Sequence, residues 1–471
     1  MADTSRYKGA ILGSAVGDAL GRPTENRSRV AATNFYVAGL VMPDEGRYSD
    51  DTEMALAVGE SLVAHGYVNK GDLATRFVRG RSPKRGYGTS MEVLLEQCAD
   101  GDELIRMILS GTKDRASCGA AMRVHPLGVV FADDPAELRR SALTQAHVTH
   151  YNIDASLGAV CVAEAMGKVM RGDSVEPSRY LAELAAVMDG YSSCWGKNIR
   201  LLEEALSMSP AAFVRSVNPE NPDFGIPVGA EPVAMAALWA FLRSPDDFQK
   251  TAHTAVTLGG DTDSVAAIAC ALSGGRNGIG SIPDGMLVRL EGRERLERLA
   301  IGLEGISCRA SDAFYQRAVV EERTRDCARE ADRILGFVSR HIGTGGHGAG
   351  FDAAGKSKIR DALSFAMDYC RAAAITPEHS SIKSFLDGLS AEGNDAGIKE
   401  GTFWSHVVEH VADIVRARDA ALCKAVALQS RGVCLDEKCV SALKASCLNG
   451  LTYMDQAEAD RLNKSYFSTR N

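Results

Sequence analysis

The chain has 471 residues, 45% hydrophobic and 24% charged, with a formal net charge of −8. That length exceeds one typical core and predicts two domains, and the negative balance argues against a nucleic-acid partner. No apolar run approaches a membrane span, residues 1–6 are polar with Asp18 interrupting the apolar stretch behind them, so no signal peptide is expected, and the twelve cysteines contain no C-x-x-C pair and read as reduced, mostly core residues. A cytoplasmic protein is expected, in its own cell or a host's, with no membrane partner.

In chain order, apolar and small residues recur at helical spacing over 7–20, 51–64, 91–98, 154–170, 178–188, 199–207, 231–242 and 262–273. No sustained period-two pattern appears, so residues 6–306 are expected to be almost entirely helical. Turns are expected at Gly21-Arg22-Pro23, Pro43–Gly46, Gly71-Asp72, Gly101-Asp102 and Asn218-Pro219. In the first helix Gly9, Gly13 and Gly17 make a stripe costing about 1 kcal/mol each relative to alanine. Close approach of another helix or of a ligand would offset that cost.

Beyond 306, residues 312–340 read as a charged helix, followed by the glycine-rich stretch 343–350, a linker by composition. Amphipathic helices are expected over 357–374, 380–391, 402–428, 436–448 and 454–465. The predicted organisation is a first domain over 1–306, a helix and linker over 307–356, and a helical accessory domain over 357–471 that binds a protein partner, tethers the chain or self-associates.

Two acidic clusters carry the chemistry. Tyr48-Ser49-Asp50-Asp51-Thr52-Glu53 opens the second of these helices, and Gly259-Gly260-Asp261-Thr262-Asp263-Ser264 opens another whose apolar face is Val265, Ile268, Ala269 and Leu272. Each places a hydroxyl and carboxylates at the positive end of a helix. One such cluster is an ordinary cap. Two distant in sequence, if they meet, supply five or more hard oxygens, as Mg²⁺ or Mn²⁺ requires. No cysteine or histidine adjoins either cluster, which disfavours zinc.

Six blocks in order, Gly9–Gly21, Tyr48–Ala55, Gly119-Ala-Ala-Met-Arg123, Thr149-His150, Ala237–Leu242 and Gly259–Ala266, resemble the ADP-ribosylglycohydrolase family over about residues 7–306. The resemblance implies an all-α orthogonal multi-helix bundle with two Mg²⁺ (or Mn²⁺) ions held by Ser49, Asp50, Asp51, Asp261, Asp263 and Ser264. It implies removal of ADP-ribose from protein side chains or small conjugates, arginine being the first linkage to consider, and places Glu25 near a metal as the leading acid/base. Asp50 or Asp51 would share that role. Ser117, Cys118, Gly119, Ala120 and Met122 fall on the family's pyrophosphate and distal-ribose loop, with Cys118-Gly119 where relatives have Asn-Gly. His150 matches a ligand-contacting histidine, Tyr87 lies in a loop near the scissile ribose, and Phe224 is the candidate for stacking adenine. At the acidic position of that ribose loop this chain has Lys84 and Arg85. A non-catalytic ADP-ribose binder of the same fold is the competing reading.

Two further motifs are rejected. Gly350-Phe-Asp-Ala-Ala-Gly-Lys-Ser357 satisfies the P-loop pattern, but no strand pattern precedes it. His406-Val-Val-Glu-His410 satisfies an inverted zinc-protease motif, yet its three polar residues lie off the apolar stripe and read as a solvated face.

Overall fold

The computed structural model describes residues 4–110, 116–150, 152–309 and 318–319. Almost all of the helix expected over 312–340, the linker, the accessory helices and both rejected motifs lie outside those residues. The described residues form eighteen α-helices and three short 3₁₀ turns. They contain no strand, only the isolated bridges Arg27–Gly260, Ser117–Gly229 and Ile226–Gly260. No helix among them is long and apolar enough to cross a membrane.

Seven helices position the site: α1 (Thr4–Gly21), α2 (Asp50–His65), α3 (Gly119–Met122), α4 (Ile153–Arg171), α5 (Ala230–Arg243), α6 (Phe248–Val256) and α7 (Thr262–Asn277). All belong to one compact unit, Met1–Ile108 with Lys113–Cys308. The predicted apolar stretches coincide with helices to within a few residues, except that the helix expected over 199–207 begins at Ser193. The Gly71-Asp72 and Gly101-Asp102 turns do not: both pairs lie in first helical turns. In the former, Asn69 Oδ1 accepts from the Asp72 N–H at 2.9 Å, so the polar run marks a capped start rather than a chain reversal. The last acidic helix also runs four residues past the predicted stretch 262–273, so Gly274–Asn277 is its final turn.

The most extensive helix contact is between α1 and α7, and α4, α5 and α6 also pack on α7. Burial of α7 extends from Thr262 through Gly275 on every side, beyond the single apolar face expected. Alanine, serine and glycine on its other faces admit that many neighbours.

The glycine stripe of α1 serves this contact. A Cβ on Gly13 would lie 2.6 Å from the Cys270 carbonyl oxygen, and Cβ atoms on Gly9, Gly17 and Gly21 would run into Gly274, Ala266 and the Thr262–Asp263 backbone. The partners descend by about four as the glycines ascend by four, so the helices run antiparallel, backbone against backbone. Close helix approach, rather than a ligand, therefore accounts for the glycines, and it brings the end of α1 against the beginning of α7.

Candidate active site

At that junction the two acidic helix starts meet. Asp18, near the end of α1 and fully buried, accepts from the Ser49 N–H at 2.8 Å on one oxygen. Its other oxygen takes the Thr52 N–H at 3.0 Å and the Thr52 hydroxyl at 2.5 Å. One α1 carboxylate thus satisfies amide donors left free at the start of α2. Ser49 caps the same helix, its Oγ accepting from the Asp51 N–H and donating to Asp51 Oδ2 at 3.0 Å. In sequence Asp18 is only a charge within an apolar stretch; its partners lie 31 and 34 residues away.

The start of α7 is held differently. Gly259 and Gly260 have φ of +76° and +72°, where Cβ atoms would strike Arg29 and Ile226. The turn is laced to residues 224–229: the Ile226 N–H donates to Gly259 O at 3.0 Å and the Asp261 N–H to Ile226 O at 2.9 Å. That same loop reaches the ligand-side segment through Cys118 N–H on Val228 O at 3.2 Å. Phe224 is half-buried in it, beside Gly259. Glu25 follows a 3₁₀ turn at the end of α1, pinned by the Asn26 N–H donating to Gly260 O at 2.8 Å.

Six carboxylates therefore share one neighbourhood: Asp18, Glu25, Asp50, Asp51, Asp261 and Asp263. Burial pushes every one of their pKa values up. For Asp50 the next causes are the charges of Asp18, Glu25 and Asp261; for Asp51 they are Asp18, Asp50 and Asp261. Asp263 feels Asp51, Asp261, Glu25 and Asp18, and Glu25 feels Asp261 and Asp18. Hydrogen bonds partly counter burial at Asp18 and Asp261. Among the described residues no ion pair involves any of the six. Asp18, Asp51, Asp261 and Asp263 are buried, whereas Glu25 and Asp50 are partly accessible. A Cβ on Gly86 (φ +100°) would lie 3.6 Å from Asp50 Oδ1 and 3.9 Å from Glu25 Oε2, so both accessible carboxylates line one edge of the site.

This environment suits a divalent cation. Asp51 Oδ1 is buried with no hydrogen-bond partner among the described residues, and a carboxylate oxygen is seldom left so unless something neutralises it. Among those residues no three His, Cys, Asp or Glu side chains already form a metal-enclosing group. The neighbouring oxygens are turned to local donors: Asp51 Oδ2 to Ser49, Asp263 Oδ1 to the Ser264 N–H at 3.0 Å, and Asp261 Oδ2 to the Cys118 thiol at 3.1 Å.

Cys118 corrects one expectation. In space a cysteine does adjoin the acidic residues, its Sγ also lying 3.5 Å from Ser264 Oγ. Burial and the charges of Asp261 and Asp51 push this thiol well above its ordinary pKa, so it stands as a protonated donor. The 143 residues between Cys118 and Asp261 hide the contact from any local spacing rule.

The remaining ligand-side residues lie on the same loop system. Ser117 Oγ and His150 Nε2 are 3.0 Å apart, and His150 Nδ1 lies 2.7 Å from Thr149 Oγ1. Gly119 and Ala120 open α3; a Cβ on Gly119 would come 2.9 Å from the His150 ring, and Met122 Sδ is 3.9 Å from Ser264 Oγ. Arg123, fully buried over the Phe77 ring, braces these residues from behind, bonding Gln145 Oε1 at 2.7 Å and Thr149 Oγ1 at 2.9 Å. Burial lowers its pKa to about 9. Tyr87 is buried and donates to Glu53 Oε2 at 2.7 Å. Glu53 is thereby turned toward the 82–87 loop and away from the carboxylates it adjoins in sequence.

The family profile of the ADP-ribosylglycohydrolases matches residues 1–317. The chain belongs to the ADP-ribosylglycohydrolase family. It is 28% identical to the human ADP-ribosylhydrolase ARH3, the match covering 64% of this chain and 93% of that protein. It is 25% identical to the ADP-ribosyl-[dinitrogen reductase] glycohydrolase of Rhodospirillum rubrum over 61% of this chain and 90% of that one. A protein of Archaeoglobus fulgidus is 31% identical over 63% of this chain and 95% of its own length. Among solved structures, an ADP-ribosylglycohydrolase-related protein complex aligns with TM-score 0.48 and 30% identity, covering 64% of this chain and 98% of that one. An ADP-ribosylglycohydrolase assignment makes this chain a hydrolase of ADP-ribose linkages, on an all-α fold.

Proposed function

We propose that this chain hydrolyses the glycosidic bond between ADP-ribose and a protein side chain, arginine being the favoured linkage. Ser49, Asp50, Asp51, Asp261, Asp263 and Ser264 would hold two Mg²⁺ or Mn²⁺ ions. The observation carrying this reading is the convergence of two remote acidic helix starts around the unpartnered Asp51 Oδ1. An all-oxygen donor set of this kind suits hard cations.

When bound, the ions would supply positive charge and Lewis acidity to ribose hydroxyls and to water. The chain's own groups do the rest. Glu25 is partly accessible, and burial beside Asp261 and Asp18 raises its pKa, so it retains its proton closer to neutrality than an ordinary glutamate. It donates that proton to the leaving arginine nitrogen as the C–N bond breaks. The resulting carboxylate then takes a proton from the water attacking the anomeric carbon, giving ADP-ribose and the unmodified arginine side chain. Asp50, the other accessible carboxylate, faces the positive charge developing on the ribose ring.

Ser117, Cys118, Gly119, Ala120, Met122 and His150 are assigned to the pyrophosphate and distal ribose, Tyr87 to the edge of the scissile ribose, and Phe224 to adenine. Incubation with arginine- and serine-linked ADP-ribosylated proteins is expected to release ADP-ribose from the arginine conjugate first. EDTA should abolish release, and Mg²⁺ or Mn²⁺ should restore it. ADP-ribose binding with no release from either conjugate would instead identify a binding module.

A further inference from the structure

The loop over the accessible carboxylates is held by a buried guanidinium with no assigned role. Arg85 Nη1 bonds Tyr48 O at 2.9 Å, and its two Nη atoms reach both oxygens of Glu291 at 2.7 and 2.9 Å. Its Nε faces Glu53 Oε1 at 3.4 Å, and the guanidinium lies 4.3 Å from the centre of the Tyr48 ring. Its main-chain oxygen accepts the Asp50 N–H at 3.0 Å. One residue therefore grips the chain on both sides of Ser49, by the carbonyl before it and the amide after it.

The partners are themselves fixed. Glu291 N–H donates to Gly46 O at 3.1 Å, and Glu53 Oε2 takes both the Ser82 N–H at 2.9 Å and the Tyr87 hydroxyl at 2.7 Å. Arg22 bonds Lys84 O at 3.1 Å, where the backbone has φ +68°, a conformation a lysine seldom adopts. Between Arg85 and Tyr87, Gly86 faces Asp50 Oδ1 and Glu25 Oε2.

We infer that Arg85, clamped by Glu291 and Glu53, is a positioning residue that fixes the Asp50 carboxylate and sets the gap between Asp50 and Glu25. The inference rests on the hydrolase reading above. The guanidinium touches neither carboxylate; it acts through Tyr48 and through its own carbonyl. A fork that spans a carboxylate and a carbonyl at once is geometry that a lysine ammonium does not reproduce.

The test measures kcat and KM for ADP-ribose release with wild type, Arg85→Lys, Arg85→Ala and Glu291→Gln in the full chain, with folding checked by circular dichroism. Expected is a kcat lower by about a hundredfold in Arg85→Ala and about tenfold in Arg85→Lys, because small misplacement of an acid/base group is expensive. KM should stay within about threefold in each, since the ligand-side loops keep their own supports. Glu291→Gln, which keeps size and one acceptor, should fall between wild type and Arg85→Ala, and it carries the test with Arg85→Lys should Arg85→Ala fail to fold. Folded variants with wild-type kcat, or with KM raised and kcat unchanged, overturn the positioning role and leave the hydrolase reading intact. A wild-type chain that releases no ADP-ribose overturns both.

Discussion

Asp263→Asn is expected to lower ADP-ribose release by about a hundredfold or more while making the metal-free protein more stable. Asn retains the shape and the oxygen that accepts the Ser264 N–H. It removes a negative charge from among Asp51, Asp261, Glu25 and Asp18, whose repulsion, after burial, raises the Asp263 pKa. A carboxylate with its pKa raised by folding costs stability at any pH above its unfolded value of 3.8. The cost grows as pH climbs from that value toward the folded one, levels off above it and disappears in acid. The melting temperature in EDTA should therefore rise, on the order of a few degrees at neutral pH, and the advantage should vanish below the unfolded pKa. Excess divalent cation should narrow or reverse the difference, because wild type gains from a ligand that binds the native state and the variant has lost a donor. Thermal melts with and without EDTA, beside release assays, check all three parts. A variant that is inactive and also less stable in EDTA would show that Asp263 serves the fold.

Gly17→Ala is expected to destabilise the protein although alanine is the better helix former. Its Cβ would run into the Ala266 main-chain oxygen and come 2.8 Å from Cys270 Cβ, and backbone cannot swing aside as a side-chain tip does. Overpacking of this kind costs about 1–3 kcal/mol or more, against about 1 kcal/mol gained in propensity. Forcing α1 from α7 also moves Asp18, which caps α2, relative to Asp261 and Asp263, so activity should fall further than stability alone dictates. Gly285→Ala is the control. It lies in the helix Asp284–Arg289 with nothing within 4 Å of the added carbon, and should gain up to about 1 kcal/mol. Denaturant melts of the two variants measure the contrast. Equal stabilisation by both would mean that the α1–α7 contact is looser than described.

What the sequence made legible was local chemistry. Hydroxyl-and-carboxylate pairs at helix starts, paired glycines before α7 and the small-residue stripe of α1 are each written within a few consecutive positions. Their meeting followed from the family resemblance and is realised by the antiparallel α1–α7 contact. The illegible parts are long-range and depend on which way a side chain turns. Glu53 has the same type and neighbourhood as Asp50, yet a position three residues along the helix points it to Tyr87 and Arg85. Asp18 and Cys118 reach partners on other elements, and nothing periodic announces them. Arg85, notable in sequence only as a base where the family resemblance implies an acid, gains its meaning from Glu291, 206 residues on.

The proposed hydrolysis depends on one site for divalent cations made from both acidic helix starts. Mn²⁺ titration of the EDTA-stripped chain, followed by the loss of the free-ion electron paramagnetic resonance signal, measures that site without reference to any substrate. Saturable uptake of two ions per wild-type chain, reduced in both Asp51→Asn and Asp261→Asn, is the predicted result. No saturable uptake, or uptake that is unchanged when either residue is replaced, would contradict it.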